Sequence, residues 1–309
     1  MRTRAEWAEW RENVLANMQL VMGPLPKKRE LPLDIIESEK VEQPRFTRIK
    51  ISFLGDDEDH VPAYLLMPKG LRRRAPALLC LHQTIRIGKA EPAGLGGNPN
   101  LHYAKELAEL GYISLAPDYP DFGEYQFDPY QHNYASTTMK AIRNHMRAID
   151  VLRSLPDVAP NRIGAVGHSL GGHNALFAAA FDQRIRAIVT SCGFNSFKKY
   201  YGGDLTGWTS KKYMPLIAEK YGKNPDRMPF DFPQVLAALA PRPLFINAPL
   251  RDSNFEVSGV KDCVDAAMPI YSRIFNAGDR LVAVYPDTGH EFPPPIRQKA
   301  YEFLNRWLK

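Results

Sequence analysis

The chain has 309 residues, of which 44% are hydrophobic, 24% charged and 11% aromatic; this excludes a disordered chain, a collagen or a coiled coil and supplies apolar material for a large core. Its length admits one large α/β domain or two smaller ones. The formal charge of +6 is carried in short clusters such as Lys27-Lys28-Arg29 and Arg72-Arg73-Arg74, which read as a solvated face rather than a nucleic-acid surface, because no aromatic-interleaved basic stripe accompanies them.

Along the chain, Trp7, Trp10, Val14, Leu15 and Met18 recur at helical spacing, which predicts a helix over 5–20 stopped by Gly23-Pro24. Met1 to Arg4 lead into this segment without the apolar core of a signal peptide, and no apolar run reaches about 18 residues, so the expectation is a soluble, cytoplasmic chain with no membrane partner. The helix is a packing arm for its own domain or for a second copy of the chain. Residues 25–44, rich in Pro and charge, read as an extended connection. Alternating residues over 46–54 and 61–67 predict a β-hairpin around Gly55-Asp56-Asp57-Glu58-Asp59. That acidic turn lacks the ligand spacing of a calcium loop and is expected to be solvated.

From residue 76 short apolar runs alternate with helical segments. Strands are predicted at 77–81, 112–116, 163–166, 187–190, 244–247 and 281–285. Helices are predicted at 101–110, 134–155, 170–181, 258–277 and 296–308. That rhythm defines an α/β fold with a mostly parallel central sheet covered by helices on both faces. Residues 1–45 read as the arm and its connection, and 46–309 as one α/β domain. Residues 194–232, rich in Tyr, Lys, Gly and Pro, interrupt the alternation as an insertion over the carboxyl edge of the sheet, where ligands bind in open α/β folds. Cys80, Cys192 and Cys263 are odd in number and far apart, which fits buried thiols rather than a disulfide framework or a metal pair.

Gly167-His168-Ser169-Leu170-Gly171-Gly172 is the sharpest local signal. It places G-x-S-x-G after a buried strand and before a small-residue helix, the setting in which a strained turn lifts a serine hydroxyl above the sheet. A serine hydroxyl is a weak nucleophile and needs a base, which needs an orienting acid. On such a sheet the order is Ser, acid, His. Downstream histidines are His173, on the same helix as the serine, and His290, in the loop after the last strand. His290 is the candidate base. Its neighbour Glu291 does not begin an H-E-x-x-H zinc motif, because position 294 is Pro294. Asp252, just beyond the 244–247 strand, is the candidate acid, with Asp287 as runner-up. The oxyanion donors expected are the backbone N–H of Leu170 and that of Gln83 or Thr84. His82 and His168 are assigned to structural hydrogen bonding. Tyr119, Phe122, Tyr125 and Trp208 are candidate pocket aromatics. The constellation needs neither cofactor nor metal.

Beyond these residues, Leu81-His82-Gln83-Thr84, Glu91-Pro92-Ala93-Gly94-Leu95-Gly96 and Ala116-Pro117-Asp118-Tyr119 resemble runs in the α/β-hydrolase superfamily. Within it, they are similar to bacterial acetylxylan-esterase-like and dienelactone-hydrolase-like proteins, relatives of the catalytic domains of prolyl-oligopeptidase-type enzymes. The resemblance spans roughly residues 45–309. It implies a serine ester hydrolase working through an acyl-enzyme on small-molecule esters, short acyl groups on carbohydrate or aromatic alcohols. Two departures stand out: a serine replaces the cysteine of true dienelactone hydrolases, and Gln83-Thr84 departs from the His-Gly-Tyr pattern of typical acetylxylan esterases. Two other readings are a prolyl-oligopeptidase-like peptidase, for which the roughly 45 preceding residues are too few to form a gating propeller, and a catalytically silent scaffold that binds a ligand.

Overall fold

The computed structural model describes residues 1–27, 31–56 and 59–309. Lys28 and Arg29 of the first basic cluster, and Asp57 and Glu58 at the tip of the acidic turn, lie outside the described residues. In chain order the elements are α1 (Arg4–Met22), β1 (Ile36–Glu42), β2 (Phe46–Asp56), β3 (Asp59–Pro68), β4 (Ala75–Leu81), α2 (Tyr103–Glu109), β5 (Ile113–Pro117), α3 (Thr137–Ser154) and β6 (Val158–His168). There follow α4 (Leu170–Phe181), β7 (Ile185–Ser191), α5 (Leu216–Glu219), α6 (Phe232–Ala238), β8 (Leu244–Asn247), α7 (Val257–Pro269), β9 (Leu281–Val284) and α8 (Pro294–Leu308).

Among the described residues the strands form one nine-stranded sheet in the order β1-β2-β3-β5-β4-β6-β7-β8-β9. From β5 to β9 every neighbouring pair is parallel, and β1 to β3 add an antiparallel edge. Strand β4 shows how the layers arise. All seven of its residues are buried, yet they still alternate: Ala77, Leu79 and Leu81 join the core under α1, α3, α4, α6 and α7, while Leu78 and Cys80 join the core under α2 and α8. The three cysteines are free and buried, and Arg72 to Arg74 are exposed as expected of a solvated cluster.

The arm begins where the Thr3 side chain accepts the N–H of Glu6 at 3.1 Å and ends at Gly23, whose φ of 91° suits glycine. Its apolar face, Val14, Leu15, Met18, Val21 and Met22, is buried in the domain's own core. Trp7 Nε1 donates to the Ala237 carbonyl at 3.0 Å, and Arg11 donates to the carbonyls of Ala238 and Ala180. Of the two berths expected for the arm, this is its own domain.

Three expectations change. Residues 36–42, expected as a connection, form edge strand β1 paired with β2; six of its seven residues are exposed and four are charged, so no apolar alternation marks it, and that charge guards an open sheet edge. The acidic turn is not simply solvated. Asp59 is buried and accepts from Lys140 Nζ and, at 2.6 Å, from the Tyr125 hydroxyl. Asp56 accepts from Lys140 Nζ at 2.8 Å and Arg143 Nε at 3.2 Å. Lys140 is itself fully buried on α3, so the carboxylates neutralise a cation that could not be left alone in the core. The helix expected to reach 277 stops at Pro269 and continues as one wider π turn over Ile270–Ile274.

Candidate active site

Ser169 sits where β6 passes into α4 with φ 53° and ψ −117°, a strained conformation for a residue with a side chain. Its own N–H donates to the Ser191 carbonyl of β7 at 2.8 Å, which ties the bend to the sheet. The neighbouring glycines are demanded by space. A Cβ on Gly167 would overlap the Gly171 carbonyl, one on Gly171 the Leu81 carbonyl, and one on Gly172 would lie 2.7 Å from the Gly193 Cα. The helix therefore starts hard against the ends of β4 and β7. Leu170 is its first residue, so the Leu170 N–H has no intrahelical acceptor and is presented together with the helix's positive end.

Asp252 and His290 are brought together from the loops after β8 and β9. His290 Nδ1 lies 2.9 and 3.0 Å from the two Asp252 oxygens. With the proton on Nδ1, the ring donates to the carboxylate and keeps the Nε2 lone pair free. Asp252 Oδ1 also accepts the N–H groups of Asn254 at 2.8 Å and Phe255 at 3.0 Å. Burial pushes the Asp252 carboxyl up, but His290 and those two N–H groups outweigh it and hold the carboxyl below its ordinary value. The runner-up, Asp287, is on the surface beside Arg251, with a side chain 72% exposed and an Nε–Oδ1 distance of 3.3 Å.

Around Ser169 lies a hollow of about 290 Å³ lined by Gln83, Thr84, Leu170, His173, Tyr200, Gly207, Trp208, Tyr213, Asn254 and Phe255. Three larger hollows, about 580, 450 and 330 Å³, open elsewhere on the surface and contain none of the expected catalytic residues. The insertion thus lines the site through Tyr200, Gly207, Trp208 and Tyr213. The Tyr213 hydroxyl meets Thr84 Oγ1 at 2.8 Å, fastening it to the loop after β4. Phe255 also packs near the His290 ring, with centroids 6.0 Å apart, and His168 contacts that ring at 4.8 Å.

Of the expected pocket aromatics, Trp208 lines the hollow and the other three do not. Tyr119 and Phe122 pack behind Leu170; the Tyr119 hydroxyl is committed to the Lys212 carbonyl at 2.8 Å, and Phe122 lies edge-on to His82. Tyr125 is spent on Asp59. Asn254 and Phe255 escaped the sequence reading, although both follow Asp252 closely enough to form the Asx-type turn that positions it.

Both histidines assigned to structure are tied to neighbours. His82 Nδ1 donates to the Gln83 carbonyl at 2.6 Å while its Nε2 accepts the Tyr119 N–H at 3.0 Å. His168 Nδ1 pairs with Ser191 Oγ at 2.9 Å. His173 Nδ1 donates to the Gly193 carbonyl at 3.1 Å, and the residue also lines the hollow. The Cys192 thiol lies within 4.8 Å of the ligand atoms of Asp252 and His290. Burial pushes its pKa far up, so it is a protonated thiol and a poor metal ligand.

Burial holds His145, His168 and His173 neutral by pushing each pKa down to about 3. In the unfolded chain each returns to 6.5. As pH falls below 6.5 the unfolded chain takes up these protons first, so their contribution is whole above that value and is lost toward pH 3. Near pH 5 each steepens the decline by about 1.4 kcal/mol per pH unit. Asp231, raised by burial to about 6, and Glu91, also raised by burial, work in the opposite sense, but they are two carboxyls against these three histidines and His82, which burial lowers as well. Calorimetry should therefore give a lower Tm at pH 5 than at pH 7, with protons absorbed on unfolding; an equal or higher Tm at pH 5 contradicts the assignment.

A serine on a strained strand-to-helix bend, with an acid–histidine pair on the loops after the last two strands of a mostly parallel sheet, defines a serine hydrolase of the α/β-hydrolase fold. Residues 1–138 match the family model "Abhydrolase family", and 122–274 match "Glucuronyl esterase, fungi". The chain has the α/β-hydrolase fold, and these two models together span residues 1–274. It is 26% identical over 302 residues to YtaP of Bacillus subtilis (strain 168), a hydrolase by designation, covering 93% of this chain and 96% of that one. It is also 26% identical over 210 residues to the 4-O-methyl-glucuronoyl methylesterase of Phanerochaete carnosa, covering 59% of this chain and 49% of that one. Among solved structures, a glucuronoyl esterase from Solibacter usitatus superposes with a TM-score of 0.78 at 19% identity, covering 99% of this chain and 94% of the other. An acetyl xylan esterase from Paenibacillus sp. R4 gives 0.66 at 18%, covering 99% and 96%. At those identities the two structures share the fold.

Proposed function

We propose that the protein is a serine carboxylic ester hydrolase acting on short-acyl esters of carbohydrate or aromatic alcohols. The observation that carries this reading is the Asp252–His290 pair beside a hollow into which the strained bend presents Ser169. Ser169 Oγ attacks the ester carbonyl while His290 Nε2 takes its proton, and Asp252 stabilises the imidazolium. His290 then returns the proton to the leaving alcohol, and water enters by the same route to release the acid.

The tetrahedral oxyanion is held by the N–H of Leu170 and that of Thr84. The choice of Thr84 over Gln83 rests on the peptide plane. The Gln83 carbonyl and the Thr84 N–H belong to one trans unit and point in opposite directions. Because buried His82 binds the Gln83 carbonyl, the Thr84 N–H is turned the other way.

Substrate class is supported from two sides. At about 290 Å³ the hollow is at the small end of ligand sites, and its lining, aromatic and uncharged, suits an aryl or sugar ring. The matched relatives whose names include glucuronoyl methylesterase and acetyl xylan esterase point to ester bonds on carbohydrate. The peptidase reading has less behind it: the chain matches Dipeptidyl-peptidase 5 of Porphyromonas gingivalis at 31% identity but covers only 30% of it. The test is turnover of aryl acetate, butyrate and octanoate, acetylated xylan, a glucuronate methyl ester and a Pro-peptide anilide, with fluorophosphonate labelling. We expect acetate or the carbohydrate esters to lead and Ser169 to carry the adduct. Preferred cleavage of the anilide would favour the peptidase, and no adduct would favour the silent scaffold.

A further inference from the structure

Glu91 is a buried carboxylate, 1% exposed, that the mechanism above does not use. Burial raises its pKa, and its Oε2 has no hydrogen-bond partner among the described residues. Such a group is costly to bury. Its Oε1, by contrast, is fully employed: it accepts the Gln83 side-chain amide at 3.0 Å and the Asn98 N–H at 2.9 Å. The chain closes tightly over it, since Gly97 has φ +72° and a Cβ there would run into the Glu91 carboxyl. Glu91 also stands in the Glu91–Gly96 run singled out in the sequence.

Gln83 is therefore gripped at two points. His82 holds its carbonyl and Glu91 holds its side chain. These grips fix the peptide unit that carries the Thr84 N–H. We propose that Glu91 is a positioning residue which, through Gln83, sets the Thr84 N–H as the second oxyanion donor. This rests on the esterase reading of the same site. An oxyanion donor acts on charge that develops only in the transition state, so loosening it lowers kcat and leaves KM nearly unchanged. A displacement of about 1 Å is enough for a loss approaching 100-fold.

The experiment is steady-state kinetics on an aryl acetate for Glu91→Ala, Glu91→Gln, Gln83→Met and the Glu91→Ala/Gln83→Met pair, each checked for folding by circular dichroism. Glu91→Ala is expected to lower kcat by roughly 10- to 100-fold with KM within about threefold. Glu91→Gln retains an acceptor oxygen and is expected to recover most of that loss. Gln83→Met keeps the backbone and removes only the amide; it should reproduce the Glu91→Ala defect, and the pair should be no worse than either alone. Should Glu91→Ala not fold, Gln83→Met reads the same grip. The proposal is overturned if Gln83→Met keeps wild-type kcat, if Glu91→Gln is as impaired as Glu91→Ala, or if the loss lies in KM. Fluorophosphonate labelling of the wild type keeps the two ideas apart. An unlabelled Ser169 defeats the esterase reading, whereas full labelling with additive kinetic defects defeats only the role of Glu91.

Discussion

Replacing Ser169 with alanine is expected to lower kcat/KM for an aryl acetate by on the order of 10³-fold or more and to abolish fluorophosphonate labelling. The substitution removes one oxygen and little else. The Ser169 N–H keeps its bond to the Ser191 carbonyl, the three glycines still fit, and alanine inherits the same positive φ that serine tolerates. Stability should change little, so a large loss of turnover with an unaltered Tm reports chemistry rather than unfolding. A residual rate is expected, because the two proposed oxyanion donors, the Leu170 and Thr84 N–H groups, would remain to stabilise attack by water. Wild-type turnover by Ser169→Ala would remove the serine from the mechanism.

Asp252→Asn is the second large effect, a fall in kcat of roughly 10⁴-fold with KM little changed. The carboxylate takes the His290 Nδ1–H at 2.9 and 3.0 Å and thereby leaves Nε2 as the free base. An amide at that position can donate to Nδ1, which favours the opposite tautomer and turns an N–H toward the serine. Asparagine retains an oxygen for the N–H groups of Asn254 and Phe255, so the turn should survive. Asp287→Asn is the paired control, since Asp287 faces solvent beside Arg251 and should lose nothing measurable. The opposite pattern, with Asp287→Asn impaired and Asp252→Asn active, reassigns the acid.

How legible the molecule was in its sequence follows from how local each determinant is. The bend at Ser169 was readable because its glycines are packed against by backbone from β4 and by one another, so their spacing, set between an apolar strand and a small-residue helix, betrays it. The sheet was readable because buried parallel strands are apolar runs. The acidic turn was not, because the cation that draws Asp56 and Asp59 inward is Lys140, more than 80 residues later on α3. Strand β1 was hidden because a protected edge carries charge where a buried strand carries apolar residues. The aromatic residues of 119–125 misled for a third reason: their type fits a pocket, but their neighbours had already claimed their hydroxyls and faces. Trp208 differed only in where the insertion folds back.

The arm carries a consequence for how the chain is made. Synthesis runs from the N- to the C-terminal end, so α1 emerges well before the residues that build its berth. Trp7 bonds to a carbonyl 230 positions onward, and Arg11 to carbonyls 169 and 227 positions onward. At a ribosomal rate of about 5–20 residues per second, the apolar face of α1 waits on the order of ten seconds or more before its partners exist. Its docking closes the C-terminal ends of α4 and α6, so this helix is seated only after both of them are made.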